Sequence, residues 1–174
     1  GTAPNNTGRV MQYDPVTGKI TQVLNAFGGN AGDMTGGAPA ALCWHQSQLF
    51  VGLNGEATTN GIGKVVRAYP DVDTAWTSDV STLAGYPTSL AEFEGDLYAG
   101  CQSSVSTGAR IVKRTASTAA WTTQVTSASG AGGDGHYAGL FVYSSAIYAV
   151  EYFNGGTDVI HILRSTDGTT WATD

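Results

Sequence analysis

The chain has 174 residues, of which 41% are hydrophobic and 13% are charged, and its formal net charge is −6. This composition is too apolar for a disordered chain. With only eight Lys and Arg residues the chain lacks the basic stripe that would neutralise phosphates, so we expect no nucleic-acid partner. It contains no apolar run of 18 residues, so we also expect no membrane insertion.

The first predicted element is a β-hairpin at 8–24 (GRVMQYDPVTGKITQVL), in which two β-branched runs flank a turn of Asp, Pro and Gly. A Gly-rich stretch follows it. Two further strands are predicted at 41–55 (ALCWHQSQLFVGLNG) and two more at 63–80 (GKVVRAYPDVDTAWTSDV). In both segments apolar and polar residues alternate with the period of two that is typical of strands.

The same order of strands recurs at 89–125 and again at 139–174, and equivalent positions carry the same type of side chain in each copy. The corresponding residues are Leu42, Leu90 and Leu140; Phe50, Tyr98 and Tyr148; and Trp76, Trp121 and Trp171. The repeat length of about 47 residues lies in the range of β-propeller blades. We therefore predict that the recurrent aromatic side chains pack between neighbouring blades.

Four-stranded units repeated along the chain predict an all-β fold, a β-propeller of four-stranded antiparallel blades over residues 1–174. An outer half-blade at 8–24 precedes blades at 41–80, 89–125 and 139–174, which makes about 3.5 blades. Because a closed ring has at least about four blades, we expect this chain to be part of a larger propeller or to complete its ring with other chains.

One turn carries a recognisable motif. The sequence STDGTTW at 165–171 is similar to the Asp-box pattern S-x-D-x-G-x-T-W of sialidase-type (BNR) propeller repeats, with one residue fewer between Asp and Thr. The copies TASTAAW (115–121) and YPDVDTAW (69–76) keep the Trp, and the first turn, YDPVTGKI (13–20), is closer to a kelch repeat. The resemblance implies a structural hairpin between two outer strands, built by Ser165, Asp167, Gly168, Thr170 and Trp171.

Long Gly-rich loops are predicted on the opposite face of the propeller, where strands two and three of a blade and consecutive blades are joined. Irregular loops on a rigid scaffold are where binding usually resides. The candidate ligand-binding residues are those in the loops whose side chains can hydrogen-bond to sugars or stack on them: Asp33, Glu56, Asn60, Gln102, Asp134, His136, Tyr137, Glu151, Tyr152 and Asn154.

The sequence predicts no catalytic residues. A sialidase-like mechanism would need a cluster of arginines around the substrate carboxylate, but Arg67, Arg114 and Arg164 occupy equivalent repeat positions and are predicted to lie at blade edges. Glycoside hydrolysis needs two carboxyl groups that flank one bond. Glu92 and Glu94 are only neighbours on a strand, and they do not suggest such a pair.

No metal site and no cofactor are predicted either. His45, His136 and His161 are scattered along the chain, without the spacing of metal ligands. Cys43 and Cys101 form no CxxC motif and are predicted to be small buried residues, although a disulfide between them remains open.

The acidic, weakly charged, Gly-rich composition favours a non-enzymatic β-propeller module for binding or structure on a surface, such as a phage tail, a virion appendage or an extracellular adhesin. We expect a glycan or cell-surface ligand, and a location outside the cell or on a virion. Two alternatives stay open: a segment of a sialidase-like glycoside hydrolase, and a purely architectural subunit.

Overall fold

The computed structural model describes residues 10–22, 38–54, 62–69, 76–102, 109–126, 134–154 and 158–174. These residues form fourteen β-strands. The strands are β1 (Met11–Tyr13), β2 (Ile20–Gln22), β3 (Ala38–His45), β4 (Gln48–Asn54), β5 (Ile62–Ala68), β6 (Thr77–Ala84), β7 (Tyr86–Phe93), β8 (Asp96–Gln102), β9 (Arg110–Arg114), β10 (Trp121–Thr126), β11 (Asp134–Tyr143), β12 (Ala146–Asn154), β13 (Asp158–Ser165) and β14 (Ala172–Thr173).

The strands form one hairpin and three four-stranded antiparallel sheets. We call β1 and β2 the first hairpin, and β3–β6, β7–β10 and β11–β14 sheets 1, 2 and 3. In each sheet consecutive strands are hydrogen-bonded neighbours, so the chain runs steadily from one edge of the sheet to the other. The predicted all-β fold of four-stranded antiparallel sheets is confirmed, as is its character as a partial propeller.

Tight turns set the register of the first two strands in every sheet. Two residues join these strands: Gln46 and Ser47 in sheet 1, Glu94 and Gly95 in sheet 2, and Ser144 and Ser145 in sheet 3. All six have positive φ, between 48° and 81°. Positive φ at both positions defines the type I′ turn, whose twist matches that of the flanking strands.

The core lies between the sheets, which pack face to face. Phe50 and Val65 of sheet 1 pack with Leu97 of sheet 2 in one buried cluster. Tyr98 of sheet 2 and Ile147 of sheet 3 belong to a second. A third cluster joins strands β4 and β5 of sheet 1, together with Trp76, to Val10, directly before the first hairpin. Each sheet therefore buries apolar side chains against the next, as stacked blades do.

Two apolar surfaces are not covered in this way. Leu42 and Trp44, on the innermost strand of sheet 1, are more than half exposed. On sheet 3, Phe141, Ile160 and Ile162 are also exposed. Among the residues that the structure describes, no helix is long and apolar enough to cross a membrane.

The two cysteines are free thiols, so the disulfide left open by the sequence is not formed. Cys101 is buried between sheets 1 and 2, as predicted for a small core residue, whereas Cys43 is half-buried. Burial raises the pKa of the Cys101 thiol to about 12, which leaves it unreactive at neutral pH.

Candidate functional site

Seven predicted ligand residues, including Gln102 at the end of β8, lie in strands rather than in the loops expected for them. Asp134, His136 and Tyr137 belong to β11, and Glu151, Tyr152 and Asn154 belong to β12. The loop placement was wrong because the ladder between these strands continues to Asp134 opposite Asn154, past the glycines that suggested a loop. The roles of these residues in binding stay predictions.

Gln102 is the half-buried last residue of β8 and pairs with Tyr86. Asp33, Glu56 and Asn60 lie outside the described residues, as do the side chains of Asp134, His136 and Asn154.

Cross-strand pairing brings three side chains together on sheet 3. Tyr137 pairs with Glu151, and Glu151 pairs with His161 on the next strand. Residues paired in this way share one face of a sheet. We call Tyr137, Glu151 and His161 the polar row; it lies on the face of sheet 3 that packs against sheet 2.

Tyr137 is fully buried, although a ligand-stacking residue was predicted at this position. It approaches sheet 2 at Gly100, where a Cβ atom would lie 3.0 Å from the Tyr137 Cβ and 2.6 Å from the Ser89 hydroxyl oxygen. Glycine is therefore needed at position 100 for this close packing. The Thr88 hydroxyl lies within hydrogen-bond distance of the carbonyl oxygens of Gly100 (3.0 Å) and Tyr137, which share its single proton.

The Tyr137 hydroxyl has no hydrogen-bond partner among the described residues. Burial, and next the negative charge of Glu151, raise the pKa of this phenol above its ordinary range. Tyr137 therefore stays protonated at neutral pH, with a donor available to an oxygen atom that enters the site.

Glu151 is the buried carboxyl group of the polar row, with an exposed fraction of 7%. Its Oε2 atom lies 3.3 Å from Nδ1 of His161, whose side chain is 49% exposed. Its Oε1 atom is buried without a hydrogen-bond partner among the described residues. A carboxylate oxygen buried without a partner is costly, which marks this atom as a site for a polar ligand atom.

His161 was not among the predicted site residues, because the histidines looked scattered in the sequence. Pairing β12 with β13 across the short GGT connection would have placed it opposite Glu151. The missing signal was therefore the register of two strands and not a motif.

Arg67 and Arg114 both contact a protein carboxylate, Asp79. Arg114 Nε donates a hydrogen bond to Asp79 Oδ2 (2.8 Å), and Arg67 Nε lies 2.9 Å from Asp79 Oδ1. The Trp121 indole N–H also donates to Asp79 Oδ2, at 2.7 Å. These contacts join sheets 1 and 2, so the two arginines balance a buried protein carboxylate and are not directed at a ligand.

A second histidine–carboxylate pair lies near the tight turns, at the other end of the sheets. His45 is fully buried, and its Nδ1 lies 2.8 Å from Oε2 of Glu92. The contact joins sheet 1 to sheet 2, and His45 also packs edge-on against Phe50. Among the described residues, no group of three or more His, Cys, Asp or Glu side chains could hold a metal ion.

No family model matches the sequence, and no curated protein matches it. Among solved structures, the chain is similar to the GH43B protein of the Bacteroides ovatus xyloglucan PUL, with 16% identity and a TM-score of 0.49 over 91% of this chain and 34% of that one. It is also similar to Zg3597, a family 117 glycoside hydrolase produced by the marine bacterium Zobellia galactanivorans. There the identity is 11% and the TM-score 0.52, over 98% of this chain.

The chain spans 34% of the length of the first of these proteins and 62% of the length of the second. The similarity to Zg3597 supports the propeller fold, with sheets 1 to 3 as consecutive blades.

The comparison corrects the functional prediction. A non-enzymatic module for binding or structure was expected, but Zg3597, whose fold is similar, is a glycoside hydrolase. The prediction that the chain is not part of an enzyme is contradicted by the same finding.

Proposed function

We propose that the chain is a segment of a β-propeller glycoside hydrolase, and that Glu151 supplies one of its two carboxyl groups. The observation that carries the proposal is the buried Oε1 atom of Glu151, which lacks a hydrogen-bond partner among the described residues. Its other oxygen is held by His161, so the orientation of the carboxyl group is fixed. The similarity of the fold to that of Zg3597 supports this choice of reaction class.

The position of Glu151 fits a site at the end of the sheets opposite the tight turns. Glu151 lies three residues before Asn154, the last residue of β12, and Asp134 begins the neighbouring strand β11. Hydrolysis of a glycosidic bond uses one carboxyl group that protonates the leaving oxygen and a second that activates water or attacks the sugar. We assign one of these two roles to Glu151, and the Tyr137 hydroxyl is a donor for a sugar oxygen.

The test uses the natural full-length protein, assayed on a panel of nitrophenyl glycosides and purified polysaccharides. We expect Glu151→Gln to lower kcat by at least about 100-fold, with a smaller change in KM, because the variant loses a proton-transfer group. Glu94→Gln is the matched control, since Glu94 is an exposed carboxylate in the tight turn of sheet 2. The proposal is overturned if the wild type hydrolyses none of the substrates, or if Glu151→Gln retains full activity.

Two finer features belong to the same proposal. We infer that 165–171 is an Asp-box-like turn with a structural role, and that the turn at 13–20 is its kelch-like counterpart. Asp14 and Asp167 each accept hydrogen bonds from two backbone N–H groups of their own turn, which supports this. We also propose that the protein acts outside the cell, which is consistent with a glycan substrate.

A further inference from the structure

Among the residues that the structure describes, one face of sheet 3 is covered and the other is not. Ile147 and Ala149 on β12 point into the cluster shared with sheet 2 and are fully buried. The alternate positions carry Tyr148 on β12 and its pairing partner Phe141 on β11. Ile160 and Ile162 on β13 occupy the same side. We call Phe141, Tyr148, Ile160 and Ile162 the far face.

The apolar side chains of the far face lie next to one another on paired strands, and their exposed fractions are unusually high. Phe141 is 46% exposed, Ile162 44% and Ile160 68%. Phe141 and Tyr148 stack on one another, with ring centroids 5.1 Å apart and planes at 6°. Contiguous apolar patches on a rigid sheet are typical of surfaces that another element covers.

The repeat indicates what that element is. Phe50, Tyr98 and Tyr148 are equivalent residues of sheets 1, 2 and 3. Phe50 is fully buried because sheet 2 covers it, with the Arg114 guanidinium 5.1 Å from its ring centroid. Tyr98 is 1% exposed because sheet 3 covers it, with the ring of Trp171 6.5 Å away.

Tyr148 is the member of this series without such a cover among the described residues. The Tyr148 ring stacks on Phe141 and lies near Arg164, whose guanidinium carbon is 6.0 Å from the ring centroid. All three residues belong to sheet 3. At Phe50 and at Tyr98, the covering residues belong to the next sheet in chain order. The equivalent position of Tyr148 therefore indicates a further sheet of the same kind.

We propose that the far face is the docking surface for a further four-stranded blade of the same polypeptide. The blade presents small apolar residues from its inner strands to Phe141 and Ile162. Its outer strands bring a Trp or an Arg onto Tyr148, as Trp171 and Arg114 do at the two interfaces already formed. The proposal rests on packing alone and does not depend on the glycosidase activity.

Thiol labelling of the natural full-length protein tests this proposal. A cysteine is introduced by Ile162→Cys on the far face, and by Val16→Cys as the matched control in the exposed turn of the first hairpin. Labelling by a maleimide is followed at each position by peptide mapping, so that Cys43 and Cys101 do not interfere. We expect position 162 to react at least about tenfold more slowly than position 16, because a covering blade must open first.

Two results overturn the proposal. Equal labelling rates at positions 162 and 16 mean that nothing covers the far face. Protection that disappears on dilution means that a second copy of the protein covers it, and not a blade of the same polypeptide. Ile160→Cys provides a second variant on the same face, and the readout is burial, so the result stands whether or not glycosidase activity is found.

Discussion

Asp167 shows how a single side chain organises a turn. Its Oδ1 atom accepts hydrogen bonds from the backbone N–H groups of Thr169 (2.8 Å) and Thr170 (2.7 Å), and from the Ser165 hydroxyl (3.0 Å). The bond from Thr170, and next that from Thr169, hold the pKa of the Asp167 carboxyl well below its ordinary value of 3.8. Gly168 takes a φ of 68°, where a Cβ atom would collide with the Tyr98 hydroxyl.

We expect Asp167→Ala to lower the melting temperature at pH 7, because three donors lose their acceptor. A carboxyl group whose pKa is lowered by folding stabilises the fold above its ordinary pKa, and that contribution is lost as the pH falls through the folded value. The difference in melting temperature between wild type and variant should therefore shrink below about pH 4. A melting series from pH 7 to pH 2 measures it, and a difference that stays constant over the series would contradict the assignment.

At the scale of elements, the interface between β8 and β11 depends on the close contact of Gly100 with Tyr137. Gly100 leaves room on sheet 2 for the Cβ atom and the carbonyl oxygen of Tyr137 of sheet 3, whose side chain is fully buried. The chain departs from regular pairing between Tyr137 and Gly139, where β11 has an irregularity in register. Tyr137 was predicted to lie in a loop, but its ring belongs to the core between two sheets, and only its hydroxyl is left for the proposed site.

Truncation of Tyr137 should therefore affect stability first. We expect Tyr137→Ala to lower the free energy of unfolding by about 3–5 kcal/mol, because it leaves a ring-sized cavity. Tyr137→Phe keeps the ring and removes a hydroxyl that has no hydrogen-bond partner among the described residues. The free energy of unfolding should therefore change by less than about 1 kcal/mol. Urea unfolding measures both variants. Equal stability of Tyr137→Ala and wild type would show that the ring is not part of the core.

At the scale of the whole molecule, the described sheets differ in how much support they receive. Sheet 2 is packed on both faces, by sheet 1 and by sheet 3. The first hairpin has two three-residue strands, and its Met11, Tyr13 and Ile20 side chains are at least half exposed. A two-stranded hairpin without a packed face is only marginally stable in water.

Amide exchange should follow this difference in support. We expect the backbone amides of β1 and β2 to exchange fastest among the described strands, and those of β7 and β8 slowest, since local opening is easiest where few apolar contacts are lost. Hydrogen–deuterium exchange with peptide-level mass spectrometry measures the order. Protection of the first hairpin equal to that of sheet 2 would indicate a covering element on the hairpin.

The sequence by itself determined the strands, their repeat and the turns, because these depend on alternation along the chain and on residues such as Gly95 and Gly168 that permit positive φ. The burial of Tyr137, the Glu151–His161 contact and the exposed far face were decided by the tertiary structure. Each of them depends on side chains from different strands whose register no local pattern encodes. For the same reason the motif at 165–171 indicated the fold, while the candidate site had to be found from cross-strand pairing.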